Sequence, residues 1–142
     1  MYNCTTCLVV MKIVVDTSVI IAVITNEAHK KELVALTKGA ALVAPEALHW
    51  EIGNAFSAML KRKRIQVEQA LSALKYYQKI PIRRYNVELG FALEISNQLN
   101  IYAYDAYFIA CAFQLGSPLL SLDRQLLRNA QSYGVKVLEV SK

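Results

Sequence analysis

Apolar residues along this chain fall into two patterns. Short apolar or β-branched runs, Lys12 to Asp16, Leu42 to Ala44, Ile80 to Tyr85, Pro118 to Leu122 and Val135 to Val140, are long enough for strands and too short for independent helices. The stretches between them carry helical patterns, predicting helices over Glu46 to Lys63, Val67 to Lys79, Val87 to Asn100, Tyr104 to Leu115 and Asp123 to Tyr133. Shorter helices are expected from Ser18 to Thr25 and from His29 to Lys38. This alternation predicts an α/β fold: a mainly parallel central sheet of about five strands, helices on both faces and right-handed crossovers. There is no internal repeat, low-complexity tract or Pro/Gly/Ser-rich linker, so residues 1–142 read as a single domain.

In open α/β sheets, ligands gather beyond the carboxyl ends of the strands. Asp16 closes the first run, in Ile13-Val14-Val15-Asp16-Thr17-Ser18, and so belongs at that edge, on what reads as a central strand. The second strand runs into Pro45, and Glu51 lies about one and a half turns into the helix that follows. Asp105 opens the helix before Pro118, and Asp123 follows Leu119-Leu120-Ser121-Leu122 directly. Four separate segments thus deliver carboxylates toward one edge.

Each acid alone has an ordinary explanation, because aspartate caps helix starts and glutamate in a first turn complements the helix dipole. Glu46, immediately after Pro45, keeps that explanation. Glu51 differs, since it sits deeper, beside Trp50, Ile52 and Phe56. Four carboxylates brought together repel one another and have raised pKa values unless a cation neutralises them. All-oxygen ligation suits Mg²⁺ or Mn²⁺. Such an ion activates water and polarises a phosphoryl oxygen, which points to phosphodiester hydrolysis.

The motifs that carry this chemistry resemble those of the PIN-domain ribonucleases, and among them the VapC-type toxins of toxin–antitoxin pairs. The resemblance spans most of the chain. It rests on Val15-Asp16-Thr17-Ser18-Val19, on Pro45 followed by Glu51 and Asn54, on Tyr104-Asp105-Ala106 with Ala110 and Ala112, and on Ser121-Leu122-Asp123-Arg124. It implies a PIN-like domain in which Asp16, Glu51, Asp105 and Asp123 form an acidic Mg²⁺ or Mn²⁺ site. Asp16 and Asp105 would be direct ligands, with Glu51 acting through water. Ser121 would orient a carboxylate or a water on the metal, and Ser18 and Asn54 would support the ligands. The resemblance also implies an RNA substrate, a cognate antitoxin as partner and a homodimer. Family members begin near the residue matching Met11, so residues 1–10 read as an N-terminal extension, with Leu8-Val9-Val10 able to lengthen the first strand.

Charge adds a second feature. Lys and Arg number 16 against 11 Asp and Glu, a balance that permits a polyanionic partner without requiring one. Half of the positive charge lies between Lys61 and Arg84, with Glu68 the only acid there. Lys61, Arg62, Lys63 and Arg64 end the predicted helix that carries Glu51. Arg62, close to three turns after Glu51, is expected on the same face and along an RNA backbone. Cys4 and Cys7 form half of a zinc-type pair with no second half, and the three cysteines suit a reducing interior rather than a disulfide framework. His29 and His49 show no metal spacing, and Tyr76, Tyr77, Tyr102 and Tyr104 are candidates either for base stacking or, more commonly, for packing. Lys12 and Asp16 interrupt the apolar start of the chain, which excludes a signal peptide or membrane span there and makes the cytoplasm the default location.

Three other readings use the same residues. A phosphatase or receiver-like phosphoacceptor would employ Asp16 as nucleophile, but a haloacid-type phosphatase wants an aspartate where this chain has Ser18. A housekeeping RNA-processing nuclease shares the same acidic site. A noncatalytic RNA-binding protein is disfavoured because all four acids are present.

Overall fold

The structure, a computed structural model, describes residues 10–141. Its centre is β1 (Lys12–Val15), flanked by β2 (Ala41–Pro45) and β4 (Leu119–Leu120), with β3 (Ile82–Tyr85) and β5 (Val137–Leu138) at the edges. All neighbouring strands are parallel and the order is β3-β2-β1-β4-β5. Successive residues of a strand point to opposite faces. Ile13, Val14 and Val15 are nevertheless 1%, 0% and 0% exposed, so both faces of β1 are covered, as expected for a parallel sheet between helical layers. Each such burial contributes about 1.5–3 kcal/mol.

Seven helices among the described residues cover the sheet: α1 (Thr17–Ile24), α2 (Lys30–Thr37), α3 (Ala47–Lys61), α4 (Val67–Lys79), α5 (Leu89–Leu99), α6 (Ala103–Leu115) and α7 (Arg124–Ser132). No helix among them is long and apolar enough to cross a membrane. The helix α6 packs on β1, β2 and β4. Its Ala106, Ala110 and Ala112 are buried, small enough to let the helix approach the sheet closely. Gly116 closes α6 in the left-handed region (φ 59), while the Ser117 amide donates to the Ala112 carbonyl at 3.0 Å. The chain then enters β4 at the amino edge of the sheet, so α6 must run down from the carboxyl edge, and Asp105 in its first turn lies at that edge.

Element boundaries shift by a residue or more from the pattern-based expectation, and three of the shifts have a clear local reason. The run Pro118 to Leu122 pairs only at Leu119–Leu120, because Ser121 and Leu122 turn out of the sheet toward Asp123, which caps α7. The run Val135 to Val140 pairs only at Val137–Leu138, because the Val135 amide is taken by the Ala130 carbonyl in closing α7. The helix expected to reach Lys63 ends at Lys61. Lys63 adopts φ 56, and the amides of Lys63 and Arg64 bond back to Leu60 and Met59, a termination that usually employs glycine. Cys4, Cys7 and most of the proposed extension lie outside the described residues.

Candidate active site

Because β1 and β4 are neighbours although far apart in sequence, the strand order reverses between them, which is where a parallel sheet opens a crevice at its carboxyl edge. Four helices begin at this edge, α1, α3, α6 and α7, and each brings one acid.

Asp16 is the N-cap of α1 and is 6% exposed. Its Oδ1 accepts from the Ser18 hydroxyl at 2.6 Å and from the Val19 amide at 3.2 Å. Its Oδ2 accepts from the Ser121 hydroxyl at 2.6 Å. Ser18 also reaches across the crevice, its Oγ accepting from the Leu122 amide at 3.0 Å, while Ser121 Oγ accepts locally from the Asp123 amide at 2.8 Å. Asp123, the exposed N-cap of α7, accepts from the amides of Gln125 and Leu126 at 3.0 and 3.1 Å through Oδ1. Both aspartates therefore do cap helices, and one of the two also ties β1 to β4.

Glu51 and Asp105 are held differently. Glu51 Oε2 is a buried carboxylate oxygen with no hydrogen-bond partner among the described residues. Burial, and then the charges of Asp16 and Asp105, push the Glu51 carboxyl up to about 7. Asp105 is also raised, by burial first and then by Asp123, with no hydrogen bond offsetting the shift among the described residues. Burial raises Asp16 to about 6 against the pull of Ser121, Ser18 and Val19, with Asp123 adding to the rise. The mutual repulsions form a closed ring: Asp16 with Glu51, Glu51 with Asp105, Asp105 with Asp123, and Asp123 with Asp16.

Among the described residues, no three His, Cys, Asp or Glu side chains stand close enough together to enclose a metal ion as placed. The donor chemistry still suits a hard dication: all donors are oxygen, they repel one another, and one buried oxygen lacks any partner.

The other expected site residues are dispersed. Asn54 is exposed on α3, one turn beyond Trp50. Lys61, Arg62, Lys63 and Arg64 are all exposed at the opposite end of α3 from the acids, with about 15 Å of helix rise between Glu51 and Lys61. Ile65, just past them, lines a pocket with Ile24 and Thr25 at the far end of α1. Arg62 is the C-cap of α3, and its amide still donates to the Ala58 carbonyl at 3.1 Å, so the helical count from Glu51 carries through to it. Glu46 pairs with Arg84, 3.6 Å from its Nε. Tyr77 is buried rather than free for stacking. Cys111, buried with its thiol pushed up to about 12, is an inert core residue.

One arrangement at the start of α3 was missed. The His49 ring meets the exposed Trp50 indole edge-on at 4.9 Å, and His49 Nδ1 lies 3.0 Å from the Tyr77 hydroxyl. Only the adjacency of Trp50 to Glu51 hinted at it in the sequence.

Comparison with known proteins follows this geometry. The chain is 28% identical over 120 residues to VapC ribonuclease Mb0985 of Mycobacterium bovis, covering 84% of this chain and 92% of that protein. It is 26% identical over 121 residues to ribonuclease VapC3 of Pyrobaculum aerophilum, covering 82% and 92%. The crystal structure of PAE2754 from Pyrobaculum aerophilum superimposes with a TM-score of 0.71 over 93% of this chain and 92% of that one, at 21% identity, which speaks for the fold. The family model described as PIN domain matches residues 13–131, from the first strand through the last helix and all four acids. The chain belongs to the PIN domain family.

Proposed function

We propose that this protein is a divalent-metal-dependent endoribonuclease and the toxin of a toxin–antitoxin pair. The observation that carries the chemistry is the set of mutually repelling acids at the switch point of the sheet, one of which, Glu51, has a buried oxygen with no hydrogen-bond partner among the described residues. The relatives' names, as VapC ribonucleases, support RNA as the substrate class, and the toxin role rests on the resemblance of the motifs to VapC-type toxins. Asp16, Glu51, Asp105 and Asp123 would hold Mg²⁺ or Mn²⁺. When bound, such an ion neutralises the ring, polarises the phosphodiester and eases deprotonation of the attacking water.

The remaining work falls to the chain's own groups. Ser18 and Ser121 fix the direction of both Asp16 oxygens, and the Gln125 and Leu126 amides fix Asp123, so these carboxylates need little reorganisation on binding. Water adds to phosphorus, the P–O bond to the departing ribose oxygen breaks, and that oxygen leaves with a proton. The exposed basic turn Lys61 to Arg64, remote from the acids, attracts long RNA by charge rather than by contact at the cleaved bond. A small antitoxin would inhibit the enzyme, which would act as a homodimer.

The test compares wild type with Asp16→Asn and Asp105→Asn on single-stranded RNA with Mg²⁺ or Mn²⁺, then with EDTA. Cleavage lost in each variant and with EDTA is the expected result; undiminished cleavage in the variants refutes the proposal. For the toxin role, expression of wild type should arrest growth where Asp16→Asn does not.

A further inference from the structure

Trp50 precedes Glu51 at the start of α3 and is 74% exposed. Such an indole is normally free to turn, but this one is braced. His49 meets it edge-on at 4.9 Å. His49 Nδ1 lies 3.0 Å from the Tyr77 hydroxyl, which accepts from Arg84 at 3.4 Å, and Arg84 in turn lies 3.6 Å from Glu46. Residues from α3, α4 and β3 thus fix the imidazole that supports the ring, while most of the indole remains open to solvent.

The surroundings narrow what such a surface fits. One turn away on either side of Trp50 stand the exposed Glu46 and Asn54, so along its own helix the indole is flanked by polar side chains rather than by an apolar stripe of the kind that docks a protein. A single flat, uncharged ring suits it, and a nucleobase is one. The combination recurs on α6, where Asp105, the other acid without a compensating hydrogen bond, directly follows Tyr104 and lies three positions after Tyr102, which are 62% and 88% exposed. Aromatic platforms hold bases largely irrespective of sequence, and only bases freed from a duplex can reach them.

We propose that Trp50, held by the His49–Tyr77–Arg84–Glu46 chain, is the stacking platform for an unpaired RNA base beside the phosphodiester at the acid ring, and so selects single-stranded over duplex substrate. This rests on the ribonuclease reading above.

Two measurements on the full chain test it. In the first, cleavage of a short mixed-sequence single-stranded RNA is followed for wild type, Trp50→Ala and Trp50→Phe. KM is expected to rise about tenfold in Trp50→Ala, with kcat within about twofold, and to return most of the way in Trp50→Phe. In the second, Trp50, the only tryptophan of the chain, reports its own occupancy. Its emission should be quenched saturably by the single strand and not by that strand annealed to its complement.

Wild type that cleaves while Trp50→Ala keeps its KM, or emission indifferent to RNA, overturns the platform and leaves the nuclease reading intact. Quenching by duplex equal to that by single strand overturns the selection, and emission that tracks only protein concentration assigns the indole to an interface between copies. Wild type showing neither cleavage nor quenching overturns both readings.

Discussion

The acid ring has two unlike halves. Asp16 and Asp123 are fixed by folding itself, through serine hydroxyls and helix amides that occupy their oxygens. Glu51 and Asp105 have no such bonds among the described residues, and burial, followed by the charges of neighbouring acids, raises both. The difference teaches that a hydrogen-bonded carboxylate can be preorganised without a ligand, whereas an uncompensated one stores repulsion that only protonation or a cation relieves.

Substitutions on the two halves should therefore separate structure from activity. Asp16→Asn and Asp105→Asn are each expected to lower RNA cleavage by roughly 10²–10³-fold, the range seen when a preorganised charge-stabilising group is removed. Equal loss from both halves supports a joint site; loss from one alone breaks it. Ser121→Ala removes a hydroxyl that donates to Asp16 and accepts from the Asp123 amide. Urea unfolding should show a loss of about 1–3 kcal/mol, and titration should show divalent affinity weakened about 10–100-fold.

The two acids that burial raises furthest, one from each half, make the opposite forecast for stability. With Asp16 raised to about 6 and Glu51 to about 7, the folded chain binds more protons than the unfolded one from about pH 4 upward until both groups ionise. Their contribution is thus fully present below the unfolded values and is lost as pH rises through the folded ones. In EDTA, Tm should fall by a few degrees between pH 5 and 7.5. Glu51→Gln should remove its share of that fall and be more stable than wild type at pH 7.5 while cleaving less. A Tm that rises over this interval in EDTA contradicts the assignment. The smallest effect belongs to the remote basic turn: neutralising Arg62 and Arg64 should lower the log–log salt slope of RNA binding by about one to two and leave divalent affinity unchanged.

The strands were legible because buried parallel strands are written as continuous apolar runs, as in Ile13-Val14-Val15. Strand ends placed Asp16 and Asp123 at one edge for the same reason. What the chain pattern could not disclose were contacts set by neighbours distant in sequence. The Ser18 and Ser121 hydroxyls meet because β1 and β4 pair, and Tyr77 is buried because α4 brings it to His49. The end of α3 was misread because Lys63, which has no glycine-like signature, adopts the left-handed turn that stops the helix.

The bond from Ser121 to Asp16 spans 105 positions. Contacts so far apart form late, after intervening segments have collapsed. A growing polypeptide still on the ribosome, before Ser121 and Asp123 have been added, carries Asp16 with neither its cross-strand hydroxyl nor its fourth acid. Synthesis itself thus delays assembly of the cutting edge until most of the chain has been made, and premature translation products are left without it.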